Sequence, residues 1–196
     1  MKIYGDKRSG NCLKVQYVCD YLGISYDWED VDVLSGRTRS GTFLKLNPSG
    51  QVPVIELSDG RCLSQSNAII RFLANESPLV PANSWARAKM DEWLFWEQYS
   101  HEPAIAVCRF HMLFLEKAKN ERDPALVTKG ESALNIMENH LQDNEWFIGD
   151  HITLADIALY AYTQFSADGG FDLMAKPRIK LWLRRVRKEL NSSFAA

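Results

Sequence analysis

Residues 47–66 read NPSGQVPVIELSDGRCLSQS and contain the pattern of a β-hairpin followed by a helix. A turn leads into a strand-like run at 51–57, and the tripeptide at 58–60 is typical of a hairpin turn into a second strand. Pro53 interrupts the first run, and because proline has no N–H for a ladder, it indicates a sheet edge, a bulge or a cis turn. The stretch predicts a hairpin with an unusual proline and a helix from Ser66.

The residues before this hairpin alternate between strand and helix patterns. A short strand at 2–5 precedes a polar turn, and apolar residues then recur at helical spacing over 13–22. Alternation with period two predicts a strand at 25–33, and a short helix follows at 42–46. Together with the hairpin and its following helix, these elements predict a β-α-β-α-β-β-α unit with a four-stranded mixed sheet over residues 1–76.

The rest of the chain is predicted to be helical. Long amphipathic segments lie near 84–117, 124–141, 153–166 and 177–189. Prolines bracket the segment 77–83, which is typical of a domain boundary. We therefore predict an N-terminal α/β domain over 1–76, a linker over 77–83 and an all-α domain over 84–196.

Composition excludes several classes of protein. With 196 residues, 46% of them hydrophobic, the chain is too apolar for a disordered protein. A net charge of −2 does not provide the positive field that a nucleic-acid-binding protein uses, and no apolar run has the length of a membrane span. The four cysteines lack paired spacing, so we expect no metal site, and we expect a cytoplasmic protein with reduced thiols.

Three motifs in a fixed order resemble those of the cytosolic glutathione S-transferase superfamily. They are Val52-Pro53, Gln65-Ser66 and the box Thr153-Leu154-Ala155-Asp156. The resemblance covers nearly the whole chain. It implies a thioredoxin-like N-terminal domain that binds glutathione and an all-helical C-terminal domain that forms the hydrophobic substrate site.

The resemblance implies a glutathione-binding role for five residues. Pro53, cis in the family, turns the backbone of Val52 so that it pairs with the cysteinyl part of glutathione. Gln65 and Ser66 precede a helix whose N-terminus attracts the γ-glutamyl carboxylate. Arg39 matches the loop position that contacts the glycyl carboxylate in phi-like enzymes. Glutathione is therefore the expected co-substrate.

Two residues are candidates for stabilising the glutathione thiolate. Ser9 follows the first strand, where its hydroxyl and the amides of the next helix can favour a negative sulfur. Asn11 belongs to a Ser-Gly-Asn run that resembles the Thr-Pro-Asn run of Nu-class bacterial enzymes. The beta-class nucleophilic cysteine is replaced by Gly10, which excludes mixed-disulfide chemistry at that position. The sequence leaves open which of Ser9 and Asn11 is the main donor.

The second substrate is expected to contact the helical domain. Tyr99 and Phe110 lie in an aromatic-rich helical segment and are candidates for a hydrophobic pocket, although aromatic residues at helical spacing also pack in cores and at interfaces. Members of the superfamily are usually dimers, so the resemblance implies a homodimer.

The Thr153–Asp156 box has the pattern of a helix capping box and is expected to be structural. From the pattern alone, Asp156→Ala is predicted to lower the free energy of unfolding by about 1–2 kcal/mol.

Three functions remain compatible with the sequence. The first is a transferase that conjugates glutathione thiolate to hydrophobic electrophiles. The second is Nu-like glutathione-dependent reduction of disulfides or peroxides, and the third is a noncatalytic binding protein with the same fold. The expected partners are glutathione and a small hydrophobic electrophile or disulfide, with no nucleic acid and no membrane.

Overall fold

The computed structural model of the chain describes residues 1–192. Its contacts divide these residues into two compact units, Met1–Ser77 and Pro78–Asn191. The division falls at the beginning of the proline-bracketed segment 77–83.

The first unit contains four strands and three α-helices in the predicted order. The strands are β1 (Lys2–Gly5), β2 (Asp27–Asp30), β3 (Val54–Glu56) and β4 (Cys62–Ser64). The helices are α1 (Gly10–Leu22), α2 (Gly41–Leu46) and α3 (Ser66–Leu73). This confirms the thioredoxin-like β-α-β-α-β-β-α arrangement.

The sheet is mixed, with the strand order β2-β1-β3-β4. β1 runs parallel to β2 and antiparallel to β3, and β3 runs antiparallel to β4. Ile3 pairs with Trp28 on one side and Ile55 on the other, and both isoleucines are fully buried. The helix between β1 and β2 supplies the crossover that parallel strands require, whereas the tight turn after β3 joins antiparallel strands.

β3 is shorter than the predicted run at 51–57. Its pairing with both neighbours ends at Val54, and the preceding Val52–Pro53 peptide bond is cis. Pro53 has no N–H to continue the ladder, which accounts for the late start of the strand. Val52 therefore lies outside the paired part of the sheet.

The helices of the first unit pack in two groups. α1 packs against α3, and α2 contributes Phe43 to a cluster with Val31 and Val54. Most of the buried face of α1 is apolar, as its helical periodicity predicts. Lys14 is the exception, because this lysine is fully buried.

The second unit is helical, as predicted. Its α-helices are α4 (Ser84–Trp96), α5 (Glu102–Leu113), α6 (Pro124–Asp143), α7 (Leu154–Thr163) and α8 (Pro177–Ser192). Every residue of α7 is buried, so this apolar helix forms the centre of the unit. Within residues 1–192, no helix has both the length and the apolar character needed to cross a membrane.

The predicted single helix over 84–117 is interrupted. A π-helical segment, Glu97–His101, separates α4 from α5, and α5 ends at Leu113. Pro103 has no N–H to donate to the carbonyl of Tyr99 four residues earlier. The Lys129 ammonium donates to that carbonyl at 2.6 Å, which satisfies the acceptor where the α-helical pattern fails.

The Thr153–Asp156 box joins several parts of the helical unit. The Asp156 carboxylate accepts from the Thr153 N–H at 3.0 Å, as the capping box predicts. It also accepts from the Thr153 hydroxyl at 3.0 Å. It also accepts from the Phe147 N–H at 3.1 Å and the Trp182 indole N–H at 3.0 Å. Burial raises the pKa of this fully buried carboxyl, and the four hydrogen bonds act against that effect.

Candidate active site

The amino ends of α1 and α3 are joined by a hydrogen bond between two predicted site residues. The Ser66 hydroxyl donates to Asn11 Oδ1 at 2.9 Å. Ser66 is the first residue of α3, and Asn11 lies in the first turn of α1. The amino ends of the two helices therefore lie side by side. Since each amino end carries partial positive charge, their positive potentials add at this point.

Lys14 is a third member of this group, and it was not among the site residues predicted from the sequence. Its ammonium donates to the same Asn11 Oδ1 at 2.9 Å, from a position with 0% exposure. An amide oxygen that accepts from two donors directs the amino group of the same side chain the other way. The available signal was a charged residue between Leu13 and Val15 on an otherwise apolar helix face.

Ser9 occupies the position immediately before α1. It is the N-cap residue, but its side chain forms no capping hydrogen bond. Burial raises the pKa of the neighbouring Cys12 thiol to about 12, and hydrogen bonds with the Asp6 N–H and the Ser9 side chain only partly oppose this. Cys12 is therefore a buried neutral thiol, and the Ser9 hydroxyl interacts with it.

The loop that carries Ser9 is held by a buried carboxylate. Asp6 accepts from the Arg8 backbone N–H and Nε at 2.9 Å each, and from Arg8 Nη2 at 2.6 Å. It also accepts from the Val33 N–H at 3.3 Å. Burial raises the pKa of Asp6, but the hydrogen bonds from Arg8 and Val33 outweigh it and hold the pKa below its usual value.

This arrangement makes the stability of the loop dependent on pH. At neutral pH we expect Asp6→Asn to lower the free energy of unfolding by about 1.5–3 kcal/mol, the range for hydrogen bonds to a charged group. A carboxyl with a lowered native pKa stabilises the protein above its unfolded pKa of about 3.9, and this contribution is lost as pH falls through the native pKa. Urea unfolding of both proteins from pH 7 to pH 3 checks this, and a stability difference that stays constant over that range contradicts it.

Tyr4 is unsuited to activating a thiol. Its hydroxyl donates to Glu56 Oε2 at 2.6 Å, and this hydrogen bond is the main reason that the pKa of Tyr4 is raised to about 12. The hydrogen of the Tyr4 hydroxyl is thus donated to the Glu56 carboxylate on β3 and not to a thiol sulfur.

Arg39 and the loop before β3 lie together. Arg39 Nη1 donates to the Ser49 carbonyl at 3.2 Å. The next residue, Gly50, has φ +62°, and a Cβ there would lie 2.6 Å from Arg39 Nη1. The positive φ is the reason that glycine is favoured here, and the flexible Arg39 side chain lies against the turn that leads to Val52.

Gln65 has an unusual backbone conformation for a residue with a side chain. Its φ and ψ are 72° and 108°, and it is the exposed N-cap residue of α3. Such conformations cost about 1–3 kcal/mol and occur preferentially at ligand sites. The adjacent Ser66 is buried, with 3% exposure.

The two residues predicted to line a substrate pocket, Tyr99 and Phe110, have different neighbours in the helical unit. Tyr99 is 79% exposed, and the Lys129 ammonium lies 4.8 Å from its ring centre. Phe110 is 36% exposed and packs against Phe114 with ring centres 5.5 Å apart. A groove of about 630 Å³ near Tyr99 is lined in part by Trp96, Lys129 and Ile136.

Metal ligands do not cluster in the described part of the chain. Across residues 1–192, no group of three or more His, Cys, Asp or Glu side chains is arranged to hold a metal ion.

Two family models match the chain. The glutathione S-transferase N-terminal domain matches residues 8–76, and the glutathione S-transferase C-terminal domain matches residues 94–189. The first range contains Asn11, Lys14 and Ser66, and the second contains Asp156.

Individual proteins show the same similarity. A crystal structure of a glutathione S-transferase from Pseudomonas fluorescens is 46% identical, with a TM-score of 0.92 over 95% of this chain and 94% of that chain. Glutathione S-transferase 3 of Zea mays is 31% identical over 95% of this chain and 88% of its own length. Elongation factor 1-gamma of Artemia salina is 27% identical over 81% of this chain, which corresponds to 36% of that protein.

Proposed function

The chain belongs to the glutathione S-transferase family, and on that premise we propose that it conjugates the thiolate of glutathione to small hydrophobic electrophiles. The observation that carries this proposal is the Asn11 amide, which Ser66 and Lys14 hold at the joined amino ends of α1 and α3. This arrangement places the Asn11 side chain and the Ser66 backbone N–H in a region of positive potential.

The first unit has groups suited to each part of glutathione. The backbone of Val52, beyond the end of the β3 ladder, pairs with the cysteinyl part as an added strand does. The Ser66 hydroxyl already donates to Asn11, so the Ser66 backbone N–H is the group that donates to the γ-glutamyl carboxylate. Gln65 contacts the γ-glutamyl group by hydrogen bonding, and the Arg39 guanidinium binds the glycyl carboxylate.

Catalysis in this proposal consists of forming and positioning the thiolate. A free thiol has a pKa of about 8.5 and is largely protonated at neutral pH. The Asn11 amino group donates to the sulfur and stabilises its negative charge, while Ser9 is the alternative donor. The thiol proton passes to solvent, the sulfur forms a bond to the electrophilic carbon, and the leaving group departs with its electron pair.

The helical unit is proposed to contact the electrophile. Tyr99 and Phe110 are its candidate residues, supported by their exposed aromatic surface. We place the protein in the cytoplasm, where glutathione keeps thiols reduced. The proposed assembly is a homodimer, which light scattering at two protein concentrations tests.

A second candidate function is glutathione-dependent disulfide reduction. An amide amino group that holds a thiolate also fits the sulfur of a disulfide, and Gly10 leaves no cysteine for a mixed disulfide with the protein at that position. In this reaction one glutathione thiolate attacks the disulfide, which forms a mixed disulfide with glutathione and expels one thiolate. A second glutathione thiolate then attacks the glutathione sulfur of the mixed disulfide, which forms glutathione disulfide and expels the other thiolate.

A paired steady-state assay tests these functions. Purified protein receives glutathione with chlorodinitrobenzene in one reaction and with hydroxyethyl disulfide in the other. Faster conjugation supports the transferase, and faster disulfide reduction supports the second candidate. If both reactions are silent and calorimetry detects no glutathione binding, the protein is a noncatalytic binding protein and both enzyme proposals are wrong.

Gln65 provides a test of the binding site that separates stability from affinity. We expect Gln65→Gly to raise the free energy of unfolding by about 1 kcal/mol because glycine relieves the positive-φ conformation. The same change raises KM for glutathione because it removes the side-chain contact. Glu76→Gly is the matched control, since Glu76 also has a positive φ, 62°, and no proposed ligand role. A Gln65→Gly protein with unchanged KM contradicts the assignment.

A further inference from the structure

We propose that Arg37 is a positioning residue of the glutathione site, which holds the backbone of Arg39 in place and so makes the site selective for a thiol with a glycyl carboxylate. This inference rests on the proposed function, in which Arg39 binds that carboxylate. Arg37 acts through Arg39 and does not contact the ligand.

Arg37 and Arg39 belong to one short 3₁₀ turn, Arg37–Arg39, between β2 and α2. The Arg39 N–H donates to the Gly36 carbonyl at 2.9 Å, which closes the turn. Thr38 lies between the two arginines and is buried, whereas both arginines are exposed. Because the two side chains are attached to the same turn, a displacement of its backbone at Arg37 also moves Arg39.

The Arg37 side chain ties this turn to the sheet. Its Nη2 donates to Glu29 Oε1 at 2.6 Å, and its Nη1 donates to the Asp30 carbonyl. Glu29 and Asp30 are the last two residues of β2, and Asp30 lies opposite Gly5 of β1. A planar guanidinium that donates to two acceptors is fixed in direction as well as in distance.

The segment before the turn has little packing of its own. Residues 32–36 are all exposed, between the buried Val31 and the turn. Few buried apolar contacts are typical of segments that open locally at low cost in free energy. The two hydrogen bonds of Arg37 therefore restrict the position of the turn where packing does not.

Arg39 extends to a different part of the structure. Its Nη1 donates to the Ser49 carbonyl at 3.2 Å, and no carboxylate of the described residues is paired with it. A guanidinium has five N–H groups, so Arg39 retains donors for a carboxylate. Arg37 already has an anionic partner in Glu29. Of the two cations on the turn, Arg39 is the one available to an anionic ligand.

The position of Arg39 agrees with the direction in which glutathione is proposed to bind. The cysteinyl part pairs with Val52 as an antiparallel strand does. In an antiparallel pair, the residue that follows on one strand lies beside the residues that precede on the other. The glycyl residue follows the cysteinyl residue, so it lies beside the turn before Val52. Arg39 contacts that turn at Ser49, which places its charge at the glycyl end of the ligand.

The test compares two thiols that differ only in this carboxylate. They are glutathione and glutathione amide, in which a neutral carboxamide replaces the glycyl carboxylate. We expect Arg37→Met to raise KM for glutathione about three- to fivefold with nearly unchanged kcat, and to change KM for glutathione amide by less than about twofold. Steady-state conjugation kinetics measure both constants. A general loss of structure raises KM for both thiols alike.

Two further variants separate positioning from direct binding by Arg37. Glu29→Ala removes the anionic partner of Arg37, and we expect KM for glutathione to rise as in Arg37→Met, by a smaller factor. If Arg37 itself bound the glycyl carboxylate, the same change would free its guanidinium and lower KM. Arg39→Met is expected to raise KM for glutathione about tenfold, and adding Arg37→Met to it is expected to change KM by less than about twofold.

Arg61→Met is the matched control. Arg61 is another exposed arginine of the first unit, and it pairs with Asp59 at 2.7 Å in the turn between β3 and β4. This variant removes an equivalent ion pair away from Arg39 and is expected to keep the wild-type KM for both thiols. Thermal unfolding of all variants shows that they are compared as folded proteins.

The outcomes distinguish this inference from the proposed function. An unchanged KM in Arg37→Met, a lower KM in Glu29→Ala or equal increases for both thiols overturn the role of Arg37. Conjugation by the wild type and a raised KM in Arg39→Met uphold the proposed function in each of these cases. If Arg39→Met keeps the wild-type KM, the binding role of Arg39 and this inference are both wrong, and a wild-type protein that conjugates neither thiol overturns the proposed function as well.

Discussion

Asn11→Asp is expected to lower kcat/KM for conjugation about 100-fold, the usual loss when a donor to a developing negative charge is removed. The new carboxylate still accepts from Ser66 and Lys14, so the local structure is retained. It has no N–H for the sulfur, and its negative charge repels the thiolate. Steady-state conjugation kinetics and thermal unfolding on the same preparations measure both effects.

Two companion variants distinguish the candidate donors. Asn11→Ala removes the same donors without adding charge and is expected to lose less activity than Asn11→Asp. Ser9→Ala is expected to lose less than either Asn11 variant if Asn11 is the main donor. If Ser9→Ala loses 100-fold and Asn11→Asp retains full activity, Ser9 holds the sulfur and the assignment of Asn11 is wrong.

Asp156→Ala is expected to lower the free energy of unfolding by about 3–5 kcal/mol, because loss of the carboxylate leaves several buried donors without an acceptor. Those donors are the Thr153 N–H and hydroxyl, the Phe147 N–H and the Trp182 indole. This exceeds the 1–2 kcal/mol predicted from the capping pattern, which includes only contacts within the box. Guanidinium unfolding of the two proteins measures the difference.

Asp156→Asn tests whether the number of donors determines this loss. The amide keeps one oxygen acceptor but places an amino group against donors on the other side, so we expect a loss about half that of the alanine variant. Folded molecules of both variants are expected to keep normal specific activity, because Asp156 lies in the helical unit outside the glutathione-binding groups. A loss below about 1 kcal/mol in Asp156→Ala contradicts the structural role.

Local patterns predicted the elements of the fold well. Pro53 and the turn at 58–60 indicated an interrupted strand followed by a hairpin, and the structure has this hairpin with a cis bond before Pro53. Such features depend on residues close in sequence, since proline chemistry, turn composition and apolar periodicity act over a few positions.

Local patterns predicted the length of the helix from residue 84 poorly. The apolar periodicity indicated one helix to 117, whereas the structure has a π-helical segment at Glu97–His101. Pro103 indicates a break in the helix, because it has no N–H to donate to the Tyr99 carbonyl. In the structure this carbonyl accepts instead from Lys129 of α6. A contact 30 residues away decides how the helix accommodates its proline.

The amino-acid sequence by itself predicted the order of the elements and, through its resemblance to a known family, the candidate glutathione residues. It left open whether Ser9 or Asn11 is the main donor to the sulfur. Only the tertiary structure decided how Asn11 is oriented, because Ser66 reaches it from 55 positions away, and Lys14 reaches it from a buried face of the same helix. Hydrophobic periodicity records which side of a helix is buried but not which polar groups meet there. The direction of an amide depends on those partners, and the folded chain brings them together.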